Sequence, residues 1–237
     1  MNGTALAYTA VAASANLIGA IAVVSHSRWS VRALDNMVAL SAGFMVSVAL
    51  LDLAPDAILT HGPGAGLVIL IGYLLVHLTQ HTLAPHFHFG EEVHHVTKVV
   101  SFSALAGLML HTFVDGVAIA SGFGVSEGLG ILVFLAILLH KLPEGLAISS
   151  LFLAAGESKG AALAASGALA VSSLLGAALT QQVPLLREFG LPLAAGVTLY
   201  VGASNLVPEF QGKKGWSLPA SFFLGCVLYY LARQLVQ

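Results

Sequence analysis

The sequence predicts an all-α membrane protein built as a bundle of eight transmembrane helices, and two observations carry this prediction. Hydrophobic residues make up 57% of the 237 residues and charged residues only 8%, whereas an average soluble domain carries about 25% charged residues. The apolar residues also form unbroken runs along almost the whole chain. Such runs lack the alternation of a membrane β-barrel, and helices satisfy their own backbone hydrogen bonds in lipid. A soluble domain with one membrane anchor is therefore excluded.

Glycine, proline and charged residues divide the chain into eight apolar segments, each close to the roughly 20 residues that cross a bilayer. We expect residues 1–237 to form a single transmembrane domain. Small residues recur inside the segments, as in 160–167 and 194–196, and favour close packing of helices in lipid. The predicted spans are residues 5–24, 37–58, 65–83, 99–123, 129–153, 160–182, 191–207 and 218–236.

The basic residues predict the orientation of the bundle, because lysine and arginine concentrate in cytoplasmic connections. The connections after spans one, three, five and seven are the richer side. Both termini are therefore expected to be extracytoplasmic, and the long connection 84–98 to be cytoplasmic. The residues on the richer side are Arg28, Arg32, Lys98, Lys159, Lys213 and Lys214, and those on the other side are Arg187 and Arg233.

Span two carries a thioether at mid-depth, Met45, and two carboxylates four residues apart toward its outer end, Asp52 and Asp56. The carboxylates could attract incoming cations at an entry. They could equally be solvated residues at a helix end, and the pattern does not decide between these interpretations.

Span three and the connection after it are rich in histidine. Such a tract can bind metal weakly, and we interpret it as a cytoplasmic buffer or sensor, although exposed histidines also bind metal adventitiously. The six residues are His77, His81, His86, His88, His94 and His95.

Spans four and five each contain one copy of the same sequence motif, and we call the two copies the two phrases. Span four reads His111-Thr-Phe-Val-Asp115-Gly-Val-Ala, and span five reads His140-Lys-Leu-Pro-Glu144-Gly-Leu-Ala. In each, a histidine and a carboxylate four residues apart share one helical face. Both pairs fall near mid-membrane on helices of opposite direction, so side by side they would offer up to four N and O ligands. Such ligands suit zinc, iron or manganese.

Ion pairing within the protein is the competing interpretation of these groups. A carboxylate at the bilayer centre costs roughly 3 kcal/mol or more and demands a partner. Lys141 could pair with Glu144, and Asp115 with a protonated histidine, leaving no metal. Repetition of the motif at one depth favours the metal site. Pro143 is expected to free a backbone carbonyl one turn earlier, at Leu139, and to kink span five just before Glu144.

The two phrases resemble spans four and five of the ZIP (Zrt/Irt-like) metal transporters, in particular the bacterial members. The ends of spans two and seven, Leu53-Ala-Pro55-Asp56 and Leu206-Val-Pro208-Glu209, extend the resemblance over nearly the whole chain.

This resemblance implies uptake of Zn(II), or of related ions such as Fe(II), Mn(II) or Cd(II), with one helix group moving against another. The ion is the substrate, no organic cofactor is expected, and the expected location is the bacterial cytoplasmic membrane. Carried over by position, His111, Asp115, Glu144 and Met45 would form the primary site, with His140 beside it.

The chain also departs from the resemblance. Bacterial members often have Asn or Asp after each motif histidine, where this chain has Thr112 and Lys141. An ammonium there would repel a second cation, so we predict a single-metal centre. Serine or asparagine also replaces other residues that can act as ligands, at Ser172, Ser173, Ser204 and Asn205.

Two other functions are weighed against transport of metal. One is a membrane-embedded zinc hydrolase in which Glu144 activates water, although the sequence has no His-Glu-x-x-His motif. The other is a proton-coupled carrier of an organic substrate with Lys141 as counter-charge. We therefore predict a non-enzymatic transporter whose partners are metal ions and lipid. A net charge of −2 does not indicate a nucleic-acid-binding surface. The sequence is compatible with a homodimer.

Overall fold

The computed structural model describes residues 2–25, 30–82 and 98–236. All regular structure within these ranges is helical, which confirms the predicted all-α fold. The helices are α1 (Asn2–Val24), α2 (Val31–Val48), a π-helical segment (Ala49–Leu53), α3 (Ala54–His61), α4 (Ala65–Thr82), α5 (Lys98–Val125), α6 (Glu127–Ala154), α7 (Lys159–Thr180), α8 (Pro184–Tyr200), a second π-helical segment (Val201–Leu206), α9 (Pro208–Gln211) and α10 (Ser217–Val236).

Seven helical stretches in the described part of the chain are long and apolar enough to cross a membrane. Two of them are composite: Arg32–His61 joins α2, the first π segment and α3, and Pro184–Leu206 joins α8 and the second π segment. The shorter apolar helix Ala65–Thr79 lies in α4. Together these eight segments form the helical membrane bundle that the sequence predicts.

Serine residues fix the starts of three helices, α2, α6 and α7. The side-chain oxygens of Ser30, Ser126 and Ser158 each accept the backbone N–H three residues later, at 3.0, 3.1 and 3.1 Å. Such caps satisfy donors that have no partner within the helix. Ser126 is also the single residue between α5 and α6, each 28 residues long. The two motif helices are therefore joined as a tight hairpin.

Spans two and seven are not regular α-helices, which the sequence did not indicate. Each contains a π-helical segment, and each segment is followed two residues later by a proline, Pro55 or Pro208. A proline lacks the N–H that would bond to a carbonyl one turn earlier, and a π turn accommodates such a break in the helical ladder. The repeated arrangement shows that these two spans are built alike.

Four pairs of helices come into backbone contact through glycine. In each pair, one glycine from either helix faces the backbone of the other, and a Cβ atom at that position would collide with it. In lipid, close packing of this kind drives helix association. The pairs are Gly19 and Gly145 between α1 and α6, Gly116 and Gly176 between α5 and α7, Gly43 and Gly225 between α2 and α10, and Gly72 and Gly196 between α4 and α8.

Further contacts join the four pairs into two groups of four helices: α1 packs against α7 and α5 against α6, while α2 and α8 each pack against the π segment of the other's span. One group consists of α1, α5, α6 and α7, and the other of α2, α4, α8 and α10. The groups meet where α2 packs against α6 and where α5 packs against α8. Because α5 and α6 carry the repeated motif, the candidate site lies in the first group, on helices that also contact the second.

Candidate metal centre

The α5–α6 hairpin brings the four motif side chains into one cluster. His111 and Asp115 come from α5, and His140 and Glu144 from α6, and one potential ligand atom from each lies within 4.8 Å of the others. All four are buried, with at most 7% of each residue exposed. The spacing of four residues on two antiparallel helices accounts for this convergence.

One oxygen of Asp115 lies at the middle of the cluster. Its Oδ2 atom is 3.4 Å from Nε2 of His111 and 3.3 Å from Nε2 of His140. Nε2 of His140 lies 3.9 Å from Oε2 of Glu144. Two imidazole nitrogens and two carboxylates therefore face a common space.

The orientation of His140 is set by its own helix. Its Nδ1 atom lies 3.1 Å from the carbonyl oxygen of Ala136. A carbonyl can only accept, so Nδ1–H donates, and Nε2 is the ring nitrogen that faces Asp115. A hydrogen bond of this kind on the other ring nitrogen is the usual support of a metal-ligating histidine.

Lys141 is fully buried, and its ammonium group bridges the two acids. Nζ lies 2.7 Å from Oδ2 of Asp115 and 2.9 Å from Oε2 of Glu144. The Lys141–Glu144 pair considered from the sequence is thus present, and Asp115 shares the same ammonium. One lysine against two carboxylates still leaves one negative charge when both histidines are neutral.

Two atoms of the cluster have no hydrogen-bond partner among the described residues, Nδ1 of His111 and Oε1 of Glu144. Leaving a buried polar atom unpaired costs about 1–3 kcal/mol. Oε1 of Glu144 could join Oε2 in binding a cation, whereas an imidazole binds a given ion through one nitrogen, so Nδ1 of His111 is only an alternative to its Nε2.

The glycine that follows each acid has a packing role. Gly116 faces the backbone of α7 at Ser173, and Gly145 faces the backbone of α1 at Asn16. A side chain at either position would push the motif helix away from its neighbour. The Asp-Gly and Glu-Gly steps therefore combine a candidate ligand with a helix contact.

Helix α6 runs through Pro143 without interruption. The carbonyl of Leu139, which loses its regular donor to this proline, accepts a hydrogen bond of 2.9 Å from the hydroxyl of Ser41 in α2. Ser41 was not identified from the sequence, which indicated the need for a donor and not its source. Met45 is fully buried one turn after Ser41 on α2.

The hydroxyl groups that stand near the motifs are used in different ways. Thr112 donates to the carbonyl of Met109 at 3.1 Å, and Ser172 of α7 donates to the same carbonyl at 2.7 Å. Ser173 is buried, and its hydroxyl has no partner in the described part of the chain. Ser204 hydrogen-bonds to the hydroxyl of Tyr73 at 2.7 Å.

Asp52 lies in the first π segment and is only 2% exposed. Its Oδ1 atom is 3.0 Å from Nε of Arg233, and its Oδ2 atom accepts a hydrogen bond from the hydroxyl of Tyr229. Both partners belong to α10, more than 170 residues away, so nothing in the sequence indicated them. Asp56 is half-buried one turn later.

The histidine tract is described only at its beginning. Nδ1 of His77 lies 3.3 Å from the hydroxyl oxygen of Tyr200 in α8. His81 is at the end of α4, and its side chain lies outside the described set. The remaining tract residues, His86, His88, His94 and His95, also lie outside the described residues.

The fold and the cluster together define a class: a helical membrane protein with a buried imidazole–carboxylate site of the type that binds metal. The sequence model of the family described as "ZIP Zinc transporter" matches residues 79–231, which is more than half of the chain. The protein belongs to this family.

Mammalian zinc transporters are among the similar proteins. "Zinc transporter ZIP13" of Rattus norvegicus is 33% identical over 118 residues, covering 47% of this chain and 33% of the relative. "Zinc transporter SLC39A7" of Homo sapiens is 32% identical over 123 residues, covering 47% of this chain and 26% of the relative. The matched region therefore spans a third or less of these relatives.

Proposed function

We propose that this integral membrane protein transports Zn(II) into the cytoplasm and that the cluster of His111, Asp115, His140 and Glu144 binds the ion on its way. The observation that carries the proposal is the convergence of all four candidate ligands within 4.8 Å in a buried position. Membership of the ZIP zinc transporter family and the names of its relatives support zinc as the substrate.

The charges of the cluster favour a bound cation. Nε2 of His140 and Oδ2 of Asp115 face each other at 3.3 Å. Two electron-rich atoms at this distance repel unless a proton or metal ion lies between them. A cation would also compensate the negative charge that Lys141 leaves over.

The ligand types set the range of substrates that we propose. Two imidazoles and two carboxylates suit Zn(II), and they also accept Fe(II) and Mn(II). Met45 is proposed as a further ligand from α2, and its soft sulfur favours Zn(II) and Cd(II) over harder ions. The structure supports this role through the burial of Met45 on a helix that packs against α6.

We further propose a single ion per chain. Lys141 occupies the position directly after His140, and its ammonium group already contacts both acids. Thr112 occupies the position directly after His111, and its hydroxyl group donates a hydrogen bond to the backbone of its own helix. The ammonium of Lys141 would repel a second cation, and neither side chain supplies the carboxylate or amide oxygen that bacterial members often have at these positions.

Asp56, with Asp52 behind it, would attract ions at the outer end, and the histidine tract would buffer them at the cytoplasmic end. The resemblance to bacterial members supports the bacterial cytoplasmic membrane as the location. A monomer and a homodimer are both compatible with a site formed within one chain.

The test is flux into liposomes that contain the purified full-length protein. We expect Zn(II) to enter, and Glu144→Ala to abolish entry. Glu127→Ala is the matched control, since Glu127 is an exposed acid at the start of the same helix. Intact flux in Glu144→Ala would overturn the site assignment.

A proton-coupled carrier is the second candidate, because Lys141 bridges the two acids as a counter-charge should. Bound metal in the purified protein distinguishes the two. We expect Zn(II) to copurify or bind, and to be lost in both His111→Ala and Asp115→Ala. Substrate-dependent proton movement without any bound metal would favour the carrier of an organic substrate instead.

A further inference from the structure

The carbonyl oxygen of Leu139 in α6 lacks its regular backbone donor. In a regular helix it would accept the N–H of residue 143, but Pro143 has none. The carbonyl lies immediately before His140 and one turn before Pro143 and Glu144. Its hydrogen bonding therefore concerns the stretch of backbone that holds both α6 members of the cluster.

Ser41 supplies the missing donor. Its hydroxyl lies 2.9 Å from the carbonyl oxygen of Leu139 and 2.8 Å from that of Met37, and the residue is 1% exposed. Met37 already accepts the backbone N–H of Ser41 within α2, as the helical pattern requires. The carbonyl of Leu139 is the one that depends on the hydroxyl.

This hydrogen bond also joins the two helix groups beside the cluster. Ser41 belongs to the α2 group, and Leu139 to the α5–α6 group. Met45 follows Ser41 by one helical turn, so the two side chains share a face of α2. Holding Ser41 against Leu139 thus holds the face that carries Met45 against α6.

We propose that Ser41 is a positioning residue for the metal site. By donating to the carbonyl of Leu139, it fixes the α6 backbone immediately before His140, at the start of the stretch that ends with Glu144, and sets the approach of α2 to the cluster. The proposal rests on the function proposed above, and it adds a residue that contacts no ion and acts through its hydrogen bond.

Removal of the hydroxyl is the first test. In the full-length protein, Ser41→Ala leaves a buried acceptor unpaired, and we expect the dissociation constant for Zn(II) to rise about tenfold. Ser41→Thr keeps the hydroxyl and should stay close to the wild type. Ser47→Ala is the matched control, because Ser47 lies on the same helix and its hydroxyl donates at 2.8 Å to Gly43 of that helix.

A double-mutant cycle with Pro143 separates positioning from general packing. Pro143→Ala restores an N–H that can donate to Leu139, so Ser41 should no longer matter. We expect Ser41→Ala to weaken Zn(II) binding about tenfold in the wild-type background and by at most about twofold in Pro143→Ala. Equal effects in both backgrounds would overturn the proposal, as would a Ser41→Ala variant that matches Ser47→Ala.

Thermal unfolding without Zn(II) provides a readout that is independent of transport. The same cycle should show a loss of stability from Ser41→Ala that Pro143→Ala suppresses. A Ser41→Ala protein that fails to fold, while the double variant folds, would support the role, and failure of both would contradict it. Absence of Zn(II) binding in the wild type would refute the proposed function. The unfolding measurements would still test whether Ser41 stabilises α6 through Leu139.

Discussion

Lys141 brings a positive charge into a site proposed for a cation. Its ammonium group is fully buried and lies within 3 Å of both Asp115 and Glu144. In the metal-free protein it stabilises two acids that would otherwise repel each other. In the proposed metal-bound state the same charge would oppose the ion, so we expect Lys141 to weaken binding and favour release.

Replacing this lysine should therefore make the fold depend on metal. We expect Lys141→Met to lower the stability of the metal-free protein by about 3–5 kcal/mol, because two buried carboxylates lose their partner. Zn(II) should restore the loss, giving a larger rise of the unfolding temperature than in the wild type. Unfolding in EDTA and in Zn(II), monitored by differential scanning fluorimetry, measures both effects.

Lys214→Met serves as the comparison for this experiment, since Lys214 is exposed in the connection before α10. It should respond to Zn(II) as the wild type does. A Zn(II)-induced shift that is the same in Lys141→Met and the wild type would show that the ammonium and the ion do not share the acids.

The residues of the cluster were predictable because their spacing is local. Two motifs with ligands four residues apart place His111, Asp115, His140 and Glu144 on helical faces, and equal depth on antiparallel helices brings them together. Ser41 and the Tyr229–Arg233 pair that holds Asp52 were not predictable. Their partners are distant in sequence. The residues around a serine or an arginine do not indicate which distant group its side chain will contact.

At the scale of helices, glycine determines which elements come into contact. The sequence indicated that small residues favour close packing, but it did not identify the right ones in every case. In α7, Gly160 and Gly167 lie in the stretch that was singled out, and neither meets a neighbouring helix, whereas Gly176 faces the backbone of α5 at Phe113. Which face of α7 is buried depends on the assembled bundle.

Two glycines of α7 provide a matched test. In Gly176→Ala the added methyl group would meet the α5 backbone, which cannot yield as a side chain can, and we expect a loss of about 1–3 kcal/mol. Gly167→Ala has nothing within 4 Å and should leave stability unchanged or slightly higher. Thermal unfolding of both variants measures the difference, and equal midpoints would contradict the role of Gly176.

The interruptions of spans two and seven show a second limit of prediction. Hydropathy identifies an apolar stretch and its length, and it carries no information on how the backbone hydrogen bonds are arranged. Pro55 and Pro208 each follow a π-helical segment by two residues, and no break in the helix was predicted from them. Packing of each segment against the other composite span accompanies these turns.

At the scale of the whole molecule, the two composite spans on either side of the α5–α6 hairpin in the chain are built alike. Before the hairpin, α2 runs into a π segment and a proline and packs on α10, and after the hairpin α8 does the same and packs on α4. The sequence predicted eight apolar segments and a site between the fourth and fifth. It did not predict the two helix groups, because their contacts join elements far apart in the chain.

Orientation is the prediction that belongs to the whole molecule. The basic residues place both termini outside, so the α3–α4 connection should also be outside and the connection before α10 inside. In a Cys226→Ser background, we expect a membrane-impermeant maleimide to label Gly64→Cys in right-side-out vesicles. Lys214→Cys should be labelled only after permeabilisation, and the opposite result would invert the topology.

The one-residue link at Ser126 has a further consequence for an ion in transit. Both imidazoles and both acids of the proposed site are carried on a single hairpin, so its displacement would preserve that part of the coordination shell. Met45 belongs to the opposite group and would be left behind. The bound ion would then lose its thioether ligand and keep its imidazole and carboxylate ligands. The loss of a single ligand would weaken binding enough to favour release without dismantling the site.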